Sequence, residues 1–157
     1  DRPWKRGFLG FSFTQERKPR VRLAAKARER FPGRIREITG RSNGRNMGHR
    51  ISALNVCLRG WMGCFRMAET PSVFHGLGEW IRRRLRMCLL GQWKRPLTRR
   101  RNLVALGIPE DWARNISGSR KGYRRLALTP QLSKALGLAY WRNQGLLSLS
   151  DLYSSYR

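Results

Sequence analysis

Arginine is the residue type with the most distinctive chemistry in this sequence, and it is concentrated at Arg82, Arg83, Arg84 and Arg86. A guanidinium binds phosphate through two parallel hydrogen bonds and stacks on bases, whereas a lysine ammonium acts as a point charge. The 157 residues include 34 Lys and Arg but nine Asp and Glu, which gives a net charge of +25. Such a field favours a polyanionic partner. The sequence therefore predicts nucleic acid as the leading partner, and its excess of Arg over Lys favours RNA.

Acidic and histidine side chains do not form a recognisable catalytic set. Phosphoryl and nucleotidyl transfer require carboxylates that converge on Mg²⁺. The aspartates are Asp1, Asp111 and Asp151, which are far apart in sequence. His49 and His75 lie at the starts of predicted helices and are interpreted as surface or capping residues. The sequence thus predicts a binding protein rather than a nucleotidyl-transfer enzyme complete in itself.

The cysteines do not indicate a disulfide framework or a zinc site. Cys57 and Cys64 are two turns apart on a predicted helix, about 10 Å, which is too far for a disulfide. No pair of cysteines has zinc-ligand spacing. Cys57, Cys64 and Cys88 are interpreted as reduced, buried small residues.

Two predicted amphipathic helices position most of the arginines. The first spans 48–68 and carries an apolar stripe beside a row of small residues, which would let another helix approach closely. The second runs from Pro71 to about Trp93, and we expect one packed side and one solvent-exposed cationic ridge. The first stripe is Ile51, Leu54, Leu58, Trp61, Met62 and Phe65, the small row is Ala53, Cys57, Gly60, Cys64 and Ala68, and the second stripe is Phe74, Leu77, Ile81, Leu85, Cys88 and Leu89.

Shorter elements flank this helical pair. Residues 7–23 alternate apolar and small or polar side chains, which predicts a β-hairpin that belongs to a larger sheet or leans on the helices. Residues 24–39 predict two short helices separated at Pro32 and Gly33. Beyond the pair, a basic helix is expected to pack Leu103, Val104 and Leu106 inward.

The C-terminal third is predicted to consist of short helices. Glu110 and Asp111 fall in a predicted first helical turn, where the helix dipole favours acids. Tyr140, Trp141 and Tyr153 are interpreted as core residues rather than as platforms for base stacking.

Two loops carry basic residues that suit phosphate. In the loop at 40–46, Arg41 and Arg45 are equally consistent with phosphate contact and with a solvated connector. Residues 117–125 combine Gly, Ser, cations and one aromatic ring, which favours nucleic-acid binding. This second loop does not have the spacing of a P-loop.

Hydrophobic segments do not suggest a membrane protein. No apolar run approaches the roughly 20 residues that a spanning helix requires, and the sequence begins with polar and basic residues rather than an apolar signal core. The expected location is the cytoplasm.

Several motifs together resemble one family. They resemble the maturase-specific region, also called the X or thumb domain, of group II intron reverse transcriptases, especially the compact bacterial forms. The likeness covers almost the whole chain. The motifs are Leu58-Arg-Gly-Trp-Met-Gly-Cys-Phe-Arg66, Trp80-Ile-Arg-Arg-Arg-Leu-Arg86, Gln92-Trp-Lys94, Ser119-Arg-Lys-Gly122, Thr129-Pro-Gln-Leu132 and Gly145-Leu-Leu-Ser-Leu149. Phe8-Leu-Gly-Phe11 resembles the start of the last hairpin of that family's palm.

The resemblance implies a fold and a division of the chain. It implies a mainly α, thumb-like helical bundle with three principal helices, shorter C-terminal helices and a short N-terminal β-hairpin left from the palm. Residues 1–23 would then be the end of the palm-like hairpin, and residues 24–157 the maturase-specific thumb domain.

The resemblance also implies partners. These are group II intron RNA, an RNA template–DNA primer duplex and an upstream finger and palm domain that carries the polymerase activity. The family's Tyr-X-Asp-Asp motif has no counterpart in this sequence, so no catalytic or metal-binding residue is assigned. Mg²⁺ is expected only in the catalytic domain, and the chain is expected to be a fragment or one chain of a split enzyme.

The predicted nucleic-acid surface combines the arginine ridge with cations from neighbouring segments. The alternative function is a general basic RNA-binding protein, acting as an RNA chaperone or with the ribosome. The candidate residues are Arg59, Arg66, Arg82, Arg83, Arg84, Arg86, Lys94, Arg120, Lys121 and Arg125.

Overall fold

A computed structural model describes residues 2, 5–40 and 44–156, and within them two strands precede nine helices. This confirms the predicted fold class of a mainly helical bundle with a short N-terminal hairpin. The expected division into domains at residue 23 remains a prediction. The elements are β1 (Phe11–Phe13), β2 (Val21–Leu23), α1 (Ala25–Ile38), α2 (Met47–Phe65), α3 (Pro71–Gln92), α4 (Pro96–Ala105), α5 (Glu110–Ser117), α6 (Tyr123–Leu126), α7 (Pro130–Ala135), α8 (Leu138–Asn143) and α9 (Leu149–Ser155).

The hairpin leans on the helices. β1 and β2 are antiparallel, with Phe11 opposite Leu23. Glu69, between α2 and α3, donates its amide to the Val21 carbonyl at 2.7 Å and accepts the Val21 amide through its carboxylate at 3.2 Å. Gly10 has a φ of +86° and lies so close to the Phe65 ring that an added Cβ would be 2.6 Å from it. The loop before β1 therefore depends on glycine.

Helix α1 is continuous through Pro32, so the predicted break at Pro32–Gly33 is wrong. Proline removes one amide donor and normally destabilises a helix interior. Here Ala27, Phe31, Ile35 and Ile38 are buried on both sides of the proline along one stripe. Tertiary packing of that stripe outweighs the local preference.

The apolar stripes of α2 and α3 form the centre of the core, as predicted. In α2 the side chains of Leu54, Leu58 and Met62 are almost completely buried. The predicted close approach along the small-residue row is wrong at Gly60 and Cys64, which are exposed, and no atom lies within 4 Å of a Cβ built on Gly60. The neighbouring helices pack against the apolar stripe of α2 instead.

An aromatic cluster connects the first three helices. The Trp61 ring stacks on Phe31 with centroids 4.2 Å apart and contacts Phe65 and Phe74 at 5.3 and 5.5 Å. Phe74 in turn contacts Tyr153 of α9 at 4.7 Å. The cluster fixes α1, α2 and α3 against each other near the start of α3.

The C-terminal helices complete the core. Trp141 and Tyr153 are buried and Tyr140 is half-buried, which confirms their interpretation as packing residues. Tyr153 donates its hydroxyl to the Ala68 carbonyl at 2.8 Å, which joins α9 to the α2–α3 connection. In α4, Leu103 is buried but Val104 is 44% exposed, so the inward packing predicted for Val104 is wrong.

The cysteines are reduced, as expected, but their burial differs. All three lie within the described residues and none forms a disulfide. Cys88 is buried, Cys57 is half-buried and Cys64 is exposed, so the interpretation of all three as buried residues is wrong for Cys64. Burial raises the pKa of the Cys57 thiol, although the nearby Arg34 opposes that shift.

Candidate nucleic-acid interface

The four arginines predicted to form one ridge on α3 do not share one environment. At 100° per residue, positions 82, 83, 84 and 86 spread over more than half of the helix circumference, and α3 packs against α6 as well as α9. Arg82, Arg83 and Arg84 are half-buried, but Arg86 is 7% exposed. The expectation that Arg86 lies on a solvent-exposed ridge is therefore wrong.

Arg86 bonds to the ends of two short helices. Its Nε donates to the Ala127 carbonyl at 2.9 Å and its Nη1 to the Leu136 carbonyl at 3.4 Å, and these residues end α6 and α7. Carbonyls at a helix C-terminus lack partners within the helix and favour a positive charge. Arg86 thus has a structural role.

Two other buried arginines repeat this arrangement. Arg50 donates to the carbonyl of Ile38 at the end of α1 and to that of Gly40 just after it. Arg99 donates to the Trp93 and Ser117 carbonyls that end α3 and α5. Part of the positive charge of the chain therefore stabilises the bundle from inside and is not available to a ligand.

Desolvation affects the arginines of α3 that point towards α6–α8. Burial, reinforced by the charges of Arg82 and Arg83 and opposed by Glu79, lowers the pKa of Arg86 to about 10. Burial also lowers the pKa of Arg82, while Glu79 opposes and Arg142 reinforces that shift. These side chains remain protonated at neutral pH, where an additional anion would relieve their mutual repulsion.

Arg84 is held beside an aromatic ring. Its Nε donates to the Thr39 hydroxyl at 2.7 Å, and that hydroxyl donates to the Ile35 carbonyl. Its guanidinium carbon lies 5.7 Å from the centre of the Trp80 ring, and that of Arg36 lies 5.4 Å from the same centre. Both separations are within the range of cation–π attraction.

These residues line a small basic cleft, which we call the Trp80 cleft. It has a volume of about 280 Å³ and brings together residues of α1, α3 and α6. None of the described lining residues carries a carboxylate, so the guanidinium groups have no acid to neutralise them within the cleft. The lining residues are Arg36, Trp80, Arg83, Arg84, Met87 and Arg124.

A second opening, the adjoining groove, meets the first at Trp80 and Arg83. It has a volume of about 420 Å³ and runs between α3 and α6–α8. Arg82 also lines it, together with one acid, Glu79, and the exposed apolar side chain Leu128. The Nε of Arg83 is buried and has no hydrogen-bond partner among the described residues. The cleft and the groove thus form one connected cationic surface.

Six of the ten predicted residues lie outside this surface. All six are exposed, but none lines the Trp80 cleft or the adjoining groove. Just after α2, the guanidinium carbon of Arg66 lies 5.9 Å from the centre of the Tyr156 ring. The six are Arg59, Arg66, Lys94, Arg120, Lys121 and Arg125.

Of the two predicted basic loops, the one at 117–125 differs from expectation at Tyr123, and the binding role of the one at 40–46 remains a prediction. Tyr123 begins α6 and is half-buried under Arg99, whose guanidinium carbon is 5.4 Å from its ring centre, so its ring is not presented by the loop. In the loop at 40–46, the Arg45 carbonyl accepts a hydrogen bond from Arg50. Arg41 lies outside the described residues.

Sequence reasoning missed three residues of the Trp80 cleft as binding residues: Arg36, Trp80 and Arg124. Trp80 stood within a recognised motif, and Arg36 lay in the segment 24–39, for which only helices were predicted. Nothing in local spacing indicated that α6 returns to α3 and brings Arg124 beside them. Their proximity is a property of the tertiary fold.

The carboxylates do not converge on a metal centre. Asp111 is exposed in the first turn of α5, and Asp151 accepts two hydrogen bonds from one Arg142 nitrogen, at 2.8 and 2.6 Å. Asp1 is outside the described residues. The remainder of the chain contains no group of three or more His, Cys, Asp or Glu side chains that could hold a metal ion. These residues do not fit Mg²⁺, and we place no step of chemistry on them.

Comparison with known proteins identifies the family. The sequence model described as "Group II intron, maturase-specific domain" matches residues 28–107, which is half of the chain. The chain belongs to this family. No curated protein matches the sequence.

The maturase-specific match covers most of the candidate interface. It begins within α1, contains the whole of α2, α3 and α4, and so includes Arg36, Trp80, Arg83 and Arg84. Arg124 and the carbonyls bound by Arg86 lie beyond the matched segment. No helix in the described part of this maturase-specific chain is both long and apolar enough to cross a membrane.

Proposed function

We propose that this maturase-specific domain is the RNA-binding thumb of a group II intron reverse transcriptase. In this role it grips intron RNA and the RNA template–DNA primer duplex, and so assists intron splicing and RNA-directed DNA synthesis. The observation that carries the proposal is the Trp80 cleft, where four arginines from three helices line one cavity with an aromatic ring and the described lining residues include no acid. A concentration of cations beside an aromatic ring suits a phosphate backbone.

This surface recognises mainly the shape of the nucleic-acid backbone. The grooves of A-form duplexes hide most base edges from side chains, and proteins recognise such duplexes chiefly through phosphates and 2′-hydroxyls. Arg82, Arg83 and Arg84 contact phosphates from α3, and Arg36 and Arg124 extend the contact on either side. Arg59, Arg66, Lys94, Arg120, Lys121 and Arg125 belong to a wider cationic surface that contacts RNA outside the cleft.

Catalysis belongs to a separate domain of the enzyme. An upstream finger and palm domain supplies the polymerase aspartates and their Mg²⁺, and this chain supplies binding and orientation. The working compartment is the bacterial cytoplasm, where an intron transcript is available to its maturase.

Binding to two RNAs at physiological salt tests the proposal. One is a group II intron transcript and the other is an unrelated structured RNA of equal length. We expect tighter binding to the intron transcript and a loss of about tenfold or more when Arg36→Glu and Arg124→Glu are combined, since two phosphate contacts become repulsions.

A matched control reverses the same amount of charge away from the cleft. Arg17 and Lys18 are exposed in the β1–β2 turn, and we expect Arg17→Glu with Lys18→Glu to retain most of the affinity. Equal binding to both RNAs would favour a general RNA chaperone or ribosome-associated protein. Equal losses in the two variants would mean that the cleft is not the binding surface.

A further inference from the structure

The Trp80 side chain has surroundings that duplex binding does not explain. It is half-buried, yet it lines both the Trp80 cleft and the adjoining groove. Trp141, by contrast, is enclosed on all sides in this fold, whereas Trp80 packs at the edge of the core. Trp80 is therefore accessible to a ligand along two openings that meet at its ring.

Arg83 presents an unmet hydrogen-bonding requirement at the same place. Its Nε is buried and has no partner in the described part of the chain, and its side chain lines both openings. A buried donor without an acceptor is unfavourable by the full cost of its desolvation. A phosphate or base oxygen that enters the cleft would supply the acceptor.

The size of the Trp80 cleft selects for a small group. Its volume of about 280 Å³ is just below the range for ligand pockets, about 300–1,000 Å³. A double helix is too wide to enter, and its base faces are stacked on each other. An unpaired base has a free face, and proteins bind such bases by stacking them on aromatic rings.

We propose that the Trp80 cleft binds one unpaired nucleotide of an RNA strand, with its base stacked on Trp80 and its phosphate held by Arg83 and Arg124. This inference rests on the proposed RNA-binding function and adds a preference for RNA with an extruded nucleotide. Arg84 stays in place because Thr39 holds it, and the exposed Arg36 moves off the ring to admit the base. Leu128 and Leu138, which are 52% and 36% exposed in the adjoining groove, give the neighbouring ribose an apolar surface.

Two RNA hairpins with identical stems test this site. One stem is continuous, and the other carries a single bulged 2-aminopurine, whose fluorescence reports stacking. We expect the wild-type chain to bind the bulged hairpin about tenfold more tightly and to quench its fluorescence, since stacking on a protein ring strengthens binding by roughly 5- to 150-fold per base.

Substitutions at Trp80 separate stacking from general RNA affinity. We expect Trp80→Leu to abolish both the tenfold preference for the bulged hairpin and the fluorescence quenching. Trp80→Phe retains an aromatic ring and should keep most of the preference, which guards against an effect of altered folding. As a control, Trp112→Leu changes a tryptophan that is 48% exposed in α5 and should behave as wild type.

Each contrary outcome has a distinct meaning. If the wild-type chain binds both hairpins equally, the inference fails while the proposed RNA-binding function stands. If Trp80→Leu weakens both hairpins alike, Trp80 has a structural role and the nucleotide site is wrong. If free adenosine 5′-monophosphate displaces the bulged hairpin at concentrations comparable with the RNA, the cleft is a site for free nucleotides rather than for an RNA strand. Failure to bind either hairpin would overturn the proposed function as well.

Discussion

The Nε of Arg86 donates a hydrogen bond of 2.9 Å to the carbonyl oxygen of Ala127, and this bond joins the third helix to the end of the sixth. It fixes α6 against α3 and so places Arg124 beside Trp80. An arginine that is almost completely buried thus holds together the helices that form the binding surface.

Replacing Arg86 by Met should lower the free energy of unfolding by roughly 1.5–3 kcal/mol, because the carbonyls of Ala127 and Leu136 lose a charged donor. Chemical denaturation measures this directly. Arg59→Met, at an exposed position of α2, is the matched control and should change stability by less than about 0.5 kcal/mol. Equal effects of the two substitutions would contradict the structural role of Arg86.

Trp61→Ala should cost about 3–5 kcal/mol of unfolding free energy, as large aromatic truncations in cores do. The ring contacts Phe31, Phe65 and Phe74, so the cavity would loosen three helices together. Thermal and chemical denaturation should agree on the loss, and Trp61→Phe should recover a substantial part of it. A loss below about 1 kcal/mol would show that the cluster is peripheral to stability.

Asn55 connects the second helix to the C-terminal segment. Its Nδ2 donates to the Gly145 carbonyl at 2.8 Å, and its Oδ1 accepts the Leu147 amide at 2.9 Å. We expect Asn55→Ala to destabilise the chain by roughly 1–3 kcal/mol, because both backbone groups lose a partner. In Asn55→Ala, the Leu147 amide should exchange its hydrogen faster than in the wild-type chain, and this increase should exceed any increase at the helix amides of α3. Unchanged protection at Leu147 would contradict this assignment.

Glu110 gives a prediction about pH. The hydrogen bond from Arg100, together with the charge of Arg100, lowers the pKa of the Glu110 carboxyl below its usual 4.5. A lowered carboxyl pKa contributes stability above the unfolded-state pKa, and this contribution disappears as the pH falls through the folded-state value. Glu110→Gln should therefore be slightly less stable than wild type at neutral pH, and the difference should vanish by about pH 3 or below. A difference that grows on acidification would have the wrong sign.

Local periodicity predicted the main helices and the hairpin. Helices show apolar residues at three- and four-residue steps and strands show alternation, and both patterns depend on neighbouring residues in the sequence. Local periodicity failed where distant segments meet. The burial of Arg86 depends on a carbonyl 41 residues later in the chain, and the Trp80 cleft depends on Arg124 from the same distant helix. Pro32 illustrates the same limit, since a strong local preference yielded to the packing of Phe31 and Ile35.

The arginines also show why composition alone cannot define a binding surface. Arg50, Arg86 and Arg99 are all buried against helix-terminal carbonyls, whereas Arg36 and Arg124 are exposed beside an aromatic ring. The sequence assigns them the same charge, and the fold separates the structural group from the group available to RNA.

The salt dependence of RNA affinity tests the central claim most directly. Dissociation constants for a group II intron hairpin are measured over a series of KCl concentrations for the wild-type chain and for Arg36→Glu with Arg124→Glu. We predict a steep linear decline in log affinity against log salt for the wild-type chain, at about one unit of slope per neutralised phosphate. The double variant should be shallower by about two units. A flat response in the wild-type chain, or identical slopes for both proteins, would contradict the account.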